Sequence, residues 1–207
     1  MPDPRLARVA VERSWERKEM TGAIIAVVAV LVVVLAALLV LFNRLVRLRN
    51  KTDNAWHQID VELNRRHDLV PELSEVVKGY ASHEKGVLVS AAEARGRAMN
   101  AGSVSEKGPA EDSLTGAIGG LLAVAESYPD LKANQDFLKF QAQLSQTETR
   151  IAGARKYYNG SVMYYDNARE SFPGNVVAGM MKNSFGPREY FELKDPEARQ
   201  APDASVT

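Results

Sequence analysis

The run Ala23–Phe42, AIIAVVAVLVVVLAALLVLF, carries no charge, no proline and no glycine. About 20 apolar residues rising 1.5 Å each as a helix match the roughly 30 Å hydrocarbon core of a bilayer. A buried helix of a soluble protein would show a polar stripe, and this run shows none. A cleaved leader would have a shorter apolar core and a small-residue cleavage site. Here charged, helix-like sequence follows instead. The run therefore predicts a transmembrane helix over residues 20–42, preceded by a charged N-terminal segment, residues 1–19.

Arg5, Arg8, Arg13, Arg17 and Lys18 precede the run, and Arg44, Arg47, Arg49 and Lys51 follow it. The two sides nearly tie in basic residues. The downstream cluster is the tighter one and meets no acid before Asp53, which places the C-terminal domain on the cytoplasmic side under the positive-inside rule. The same four downstream cations are candidates for contact with anionic headgroups.

Beyond the membrane the pattern becomes periodic. Leu45, Leu48, Thr52, Ala55, Ile59 and Leu63 follow helical 3-4 spacing, with charged residues between them. No turn signal separates this stripe from the apolar run, so one helix is expected to leave the membrane as the stripe. Pro71 predicts a kink near Leu69, with the helix continuing through Leu73, Val76, Val77, Val87 and Leu88 to about Met99. The segment Asn100–Asp112, NAGSVSEKGPAED, reads as a loop, and Ser113–Ser127 as a short helix weakened by Gly116, Gly119 and Gly120. A long helix is expected over Leu131–Ser171, striped by Phe137, Phe140, Leu144, Thr147, Ile151, Ala154, Tyr158, Val162 and Tyr165. Val176–Met181 predicts a short apolar helix, and Phe185-Gly186-Pro187 a turn. The fold class is all-α. An N-terminal transmembrane helix continues into an antiparallel, four-helix-bundle-like domain with long kinked helices (residues 43–182), followed by an extended, partly disordered tail (183–207).

The 207 residues contain 26 basic and 26 acidic side chains and no cysteine. The balance argues against nucleic-acid binding, which needs an excess of cations. The lack of cysteine excludes disulfides and thiolate chemistry.

The runs RNKTDNAWHQIDVELNRRHDLVPELSEVVKGYASHE, LLAVAESYPDLKANQDFLKFQAQLSQTETRIAGARKYYNGSVMYYDNARESFPGNVVA and FGPREYFEL resemble the LemA family. With the apolar run, the resemblance covers nearly all of residues 22–194. It implies a bacterial membrane protein with one N-terminal span in the inner membrane and an all-helical domain. It also implies no established enzymatic activity or cofactor. One branch of that family is associated with magnetosome membranes, and others occur near membrane peptidases and phosphatase-like proteins.

Candidate chemistry is sparse. Asp53, His57 and Asp60 share one helix face, but no second ligand set is placed to meet them, so no metal site is assigned. His83 and Glu84 are adjacent and diverge on a helix. Arg65, Arg66, His67 and Asp68 precede Pro71; they are either an anion or partner site at a kink, or surface charge in local ion pairs. Tyr157-Tyr158 and Tyr164-Tyr165 repeat at a heptad spacing, which puts one of each pair on a seam and the other on its shoulder. Arg65, Arg66, His67, Tyr157 and Tyr164 form the candidate interaction surface. No catalytic residue, cofactor or small-molecule substrate is assigned. The expected partners are the lipid bilayer and other membrane proteins or a second copy of the chain. The function expected is a non-catalytic membrane-anchored scaffold. A sensor relaying a signal through the span, or a metal-binding bundle, are the alternatives.

Overall fold

Six helices account for nearly all of the computed structural model, which describes residues 4–193, with side chains from Thr21 onward. There is no strand among the described residues. The helices are α1 (Pro4–Tyr80), α2 (Lys85–Asn100), α3 (Val104–Ser127), α4 (Pro129–Lys132), α5 (Gln135–Glu170) and α6 (Gly174–Met180). Residues 194–207, which include the end of the expected disordered tail, lie outside the described residues.

The chain folds as two units, one comprising the residues up to Arg47 with Ala168–Phe185, the other Leu48–Asn167 with the residues from Gly186 on. In the first unit, the apolar run leaves its side chains exposed, Ile25 at 70% and Val33 at 67%. This is the one described stretch long and apolar enough to cross a membrane. Coverage begins only at the end of the apolar run, where Leu38, Leu41 and Phe42 are half-buried and Leu45 is buried.

The second unit is an up-down-up-down bundle of α1, α2, α3 and α5. Side-chain contacts fix the directions. Arg95 on α2 reaches His67 on α1. On α3, Glu111 also reaches His67, and Tyr128, which caps the end of α3, reaches Glu84. Asn134, just before α5, meets Tyr80, and on α5 Glu148 meets Arg66 and Ser161 meets Thr52. The apolar stripes of α1 and α5 are buried as their periodicity predicts: Ala55, Ile59 and Leu63 on one, Phe137, Leu144, Ile151, Tyr158 and Val162 on the other.

Two boundaries differ most from expectation. The helix through Pro71 ends at Tyr80 rather than near Met99. Ala81 is buried and donates to the Val77 carbonyl oxygen at 2.8 Å, Glu84 donates to that of Ala81 at 3.0 Å, and the chain reverses into α2. The periodicity ran on because α2 buries its own stripe, Ala91, Ala94 and Ala98, in the same core as Leu73 and Val77. The expected loop Asn100–Asp112 shrinks to Ala101–Ser103, because Ser103 and Glu106 form a reciprocal capping box that starts α3 early. Pro109 lies inside α3, and the residue whose carbonyl it leaves without a helical donor, Ser105, is exposed.

After α6 the chain runs extended along the bundle. Phe191 is fully buried and edge-on to the Trp56 ring, centroids 5.5 Å apart. The Asn159 side-chain amide clamps the Phe191 backbone from both sides, at 3.1 and 2.9 Å. Tyr158 donates to the Glu189 carbonyl oxygen at 2.8 Å and Tyr165 to that of Gly186 at 2.9 Å.

Candidate functional site: a buried charge layer and an exposed aromatic face

The bundle core is not uniformly apolar. One apolar cluster contains Leu63 and Ile151, and the other contains Leu69, Leu114 and Leu144. On α1 the residues between Leu63 and Leu69 include Arg66 and His67, 2% and 4% exposed. On α5 Thr147, fully buried, lies between Leu144 and Ile151, and α3 brings in Glu111, also fully buried.

These residues form one network. The Glu111 carboxylate accepts from Arg66 Nη2 on one oxygen and from His67 Nε2 at 2.6 Å on the other. A carboxylate only accepts, so His67 carries its proton on Nε2. Arg66 Nη1 donates to Glu148 at 2.8 Å and to the Thr115 hydroxyl at 3.1 Å. Burial alone pushes the Glu111 carboxyl up. The His67 hydrogen bond and the Arg66 guanidinium outweigh it and hold the carboxyl below the usual range. Arg66 Nε and His67 Nδ1 are buried without a partner.

Arg66 and His67 therefore leave the candidate interaction surface. They sit on the apolar stripe itself, at the positions between Leu63 and Val70 that face α3, and their charge is spent inside the protein. Arg65, one residue earlier, is half-exposed, and Tyr157 and Tyr164 are 46% and 60% exposed. Their neighbours Tyr158 and Tyr165 are buried. Tyr157 lies with His57, Val61, Glu62, Arg150 and Ala154 along a shallow groove between α1 and α5. Lys51 stands over the Tyr157 ring at 5.6 Å.

Of the membrane-flanking cations, Arg44 and Arg47 are exposed, Arg49 is half-buried, and Lys51 is exposed beside Tyr157. Asp53 pairs with Arg188 at 2.7 Å and Asp60 with Lys107 at 2.6 Å, while His57 faces the groove. No group of three metal-ligating side chains converges among the described residues. The sequence reading missed Glu111, Glu148, Thr115 and Arg95. Glu111 had a signal: it stands at helical spacing before Leu114, Ile118, Leu121 and Ala125, on the buried face of α3.

Comparison with known proteins follows the same outline. The model of the LemA family matches residues 55–205. Protein LemA of Metamycoplasma hominis is 28% identical over 141 residues, 66% of this chain and 63% of that protein. This chain thus spans less than two thirds of that relative's length. Magnetosome protein MamQ 2 of Paramagnetospirillum magneticum and magnetosome protein MamQ of Magnetospirillum gryphiswaldense are each 25% identical over 219 aligned positions, 91% of this chain and 80% of the relative.

Proposed function

The chain belongs to the LemA family, and from that premise we propose that this membrane-associated helical protein is a non-catalytic scaffold. It would hold other membrane proteins, or further copies of itself, in a membrane-bound assembly. The span anchors it, in this reading, in the bacterial inner membrane with the C-terminal domain on the cytoplasmic side.

One observation carries the reading: where the bundle's polar groups are spent and where its apolar ones are left. His67 and Glu111, the side chains best suited to acid–base work, are buried against each other and against the Arg66 guanidinium. Meanwhile Val61 (65% exposed), Tyr157, Met163 and Tyr164 stand in solvent on the outer faces of α1 and α5. Aromatic and aliphatic anchors beside charged rims such as Arg65 and Arg150 are what protein interfaces use. The MamQ relatives are named magnetosome proteins, which fits an assembling role here.

The test is site-specific photo-crosslinking in native membranes from positions 61, 157 and 164. A discrete, reproducible adduct from these positions, absent from control positions on α2, is the expected result. An unadducted monomer from all three sinks the proposal. A reporter fused after Thr207 checks the orientation; activity only on the far side of the membrane reverses it.

A further inference from the structure

Within the unit that carries the apolar run, α6 and its flanks present a second apolar surface. Val177, Ala178 and Phe185 are buried, while Phe172 is 82%, Met180 78%, Val176 46% and Met181 41% exposed. Four large apolar side chains exposed on so short a segment are a patch that water does not favour. The segment is tightly made: a Cβ at Gly174 would collide with the Ala168 carbonyl oxygen, so the chain closes back on itself at the start of α6.

Its position says what covers it. The Phe185 ring packs edge-on against Phe42, with centroids 5.6 Å apart. Phe42 is the last residue of the apolar run, which a bilayer must cover along its length. A group seated on Phe42 therefore lies at the boundary between hydrocarbon and headgroups. The charge around it fits that boundary. Arg44, Arg47 and Lys182 are basic and exposed, and Glu170, the one acid in Asn43–Arg47 and Ala168–Phe185, is paired with Arg169. Cations with long stems beside apolar anchors are the composition of segments that lie in the membrane interface.

We propose that Phe172–Met181 is a second membrane contact, inserted in the interfacial layer of a phospholipid bilayer, with Phe172, Val176, Met180 and Met181 entering the acyl boundary. The protein then grips the bilayer at two places in the sequence, the span and this segment.

The absence of cysteine makes the test direct. Phe172→Cys, Val176→Cys and Met180→Cys, all at exposed positions, are each labelled with an environment-sensitive fluorophore in the full chain. The labelled proteins are reconstituted into phosphatidylcholine–phosphatidylglycerol vesicles. Gly116→Cys, exposed on α3, is the control. The expected result is a blue-shifted emission at all three positions, quenching by spin-labelled lipid, and loss of quenching by aqueous iodide, with the control showing the reverse. Iodide quenching equal to that of the control overturns the proposal. So does shielding from both quenchers, which would mean that protein covers the segment. Circular dichroism of each labelled chain confirms that the helices persist, and three positions keep the answer independent of any one substitution.

Discussion

Arg95 Nε donates to the His67 backbone carbonyl oxygen at 2.7 Å, and that carbonyl is the one Pro71 leaves without a helical donor. The proline's missing N–H lies four residues on, inside α1, beneath a buried side chain where water cannot easily substitute. The guanidinium of the neighbouring helix takes the vacant place. A local defect of α1 thus becomes a tie between α1 and α2. Replacing Arg95 with Ala orphans the carbonyl and is expected to cost about 1–3 kcal/mol. In a Pro71→Ala background the helix supplies its own donor, and the same substitution should cost clearly less. Chemical unfolding of the four proteins of this cycle in detergent measures the coupling. Equal costs in both backgrounds would show that Arg95 acts elsewhere.

The Glu111 layer makes a stronger prediction, with an acid signature. Glu111→Leu leaves the Arg66 guanidinium buried without its main acceptor, and a loss of about 3–5 kcal/mol is expected. Replacing Arg66, His67 and Glu111 together by Met, Leu and Leu removes the orphaned charge and should recover most of that loss. Because the folded carboxyl is held below its ordinary range, the folded state binds fewer protons than the unfolded chain as acid is added. Its contribution is complete above the ordinary Glu value of about 4.3 and is lost as pH falls below it. Stability measured from pH 7 downward should fall less steeply in Glu111→Gln than in the parent; parallel acid limbs would count against the assignment.

Helix stripes were legible from spacing alone because burial selects apolar side chains at 3-4 intervals, as at Ala55, Ile59 and Leu63. The charge layer was hidden by the same rule. Arg66 occupies the stripe position between Leu63 and Val70, and a rule that sends charge to the surface reads it as an interruption. Its acidic partners, Glu111 on α3 45 residues away and Glu148 on α5 82 residues away, neutralise it, and long-range pairing is not written in local spacing. The start of α3 failed for another reason. Gly108 and Pro109 outweighed the Ser103–Glu106 capping pair, although that pair satisfies backbone donors that glycine and proline merely leave permissive. The exposed patch at Phe172–Met181 was visible as apolar sequence, but its place beside Phe42 needed the fold.

Tyr158 supplies the alkaline counterpart. Burial pushes its hydroxyl up to about 12, against the nearby Arg188 charge and with smaller raising contributions from Glu189, Asp53 and Asp166. A phenol whose folded value is raised stabilises the fold fully below the unfolded value of about 10 and loses that contribution as pH rises through the folded value. Only the protonated hydroxyl can donate to the Glu189 carbonyl oxygen. Ultraviolet titration should show late tyrosine ionisation, and the amplitude of that late step should fall in Tyr158→Phe. That variant should lose about 0.5–1.5 kcal/mol near neutrality and expose Gly186–Leu193 to proteolysis. A titration unchanged by the substitution would refute the assignment.

Glycines of α3 separate packing from propensity within one helix. Gly116 and Gly119 are exposed, and a Cβ at either meets nothing within 4 Å. Alanine at each should stabilise the protein by about 0.5–1 kcal/mol, since it removes backbone freedom from the unfolded chain at no steric cost. Gly108 is buried in the same helix, and there a Cβ would collide with the Glu192 carbonyl oxygen. The obstruction is backbone, held in place by the neighbouring Asn159–Phe191 clamp, so it cannot swing aside as a side chain would. Gly108→Ala should therefore destabilise despite its better helix propensity, and should do so by lifting Glu189–Leu193 off α3. Thermal unfolding of the three single variants tests the sign, and limited proteolysis after Arg188 tests the location. A stabilised Gly108→Ala, with the extended segment still protected, would show that Glu192 is not held against α3.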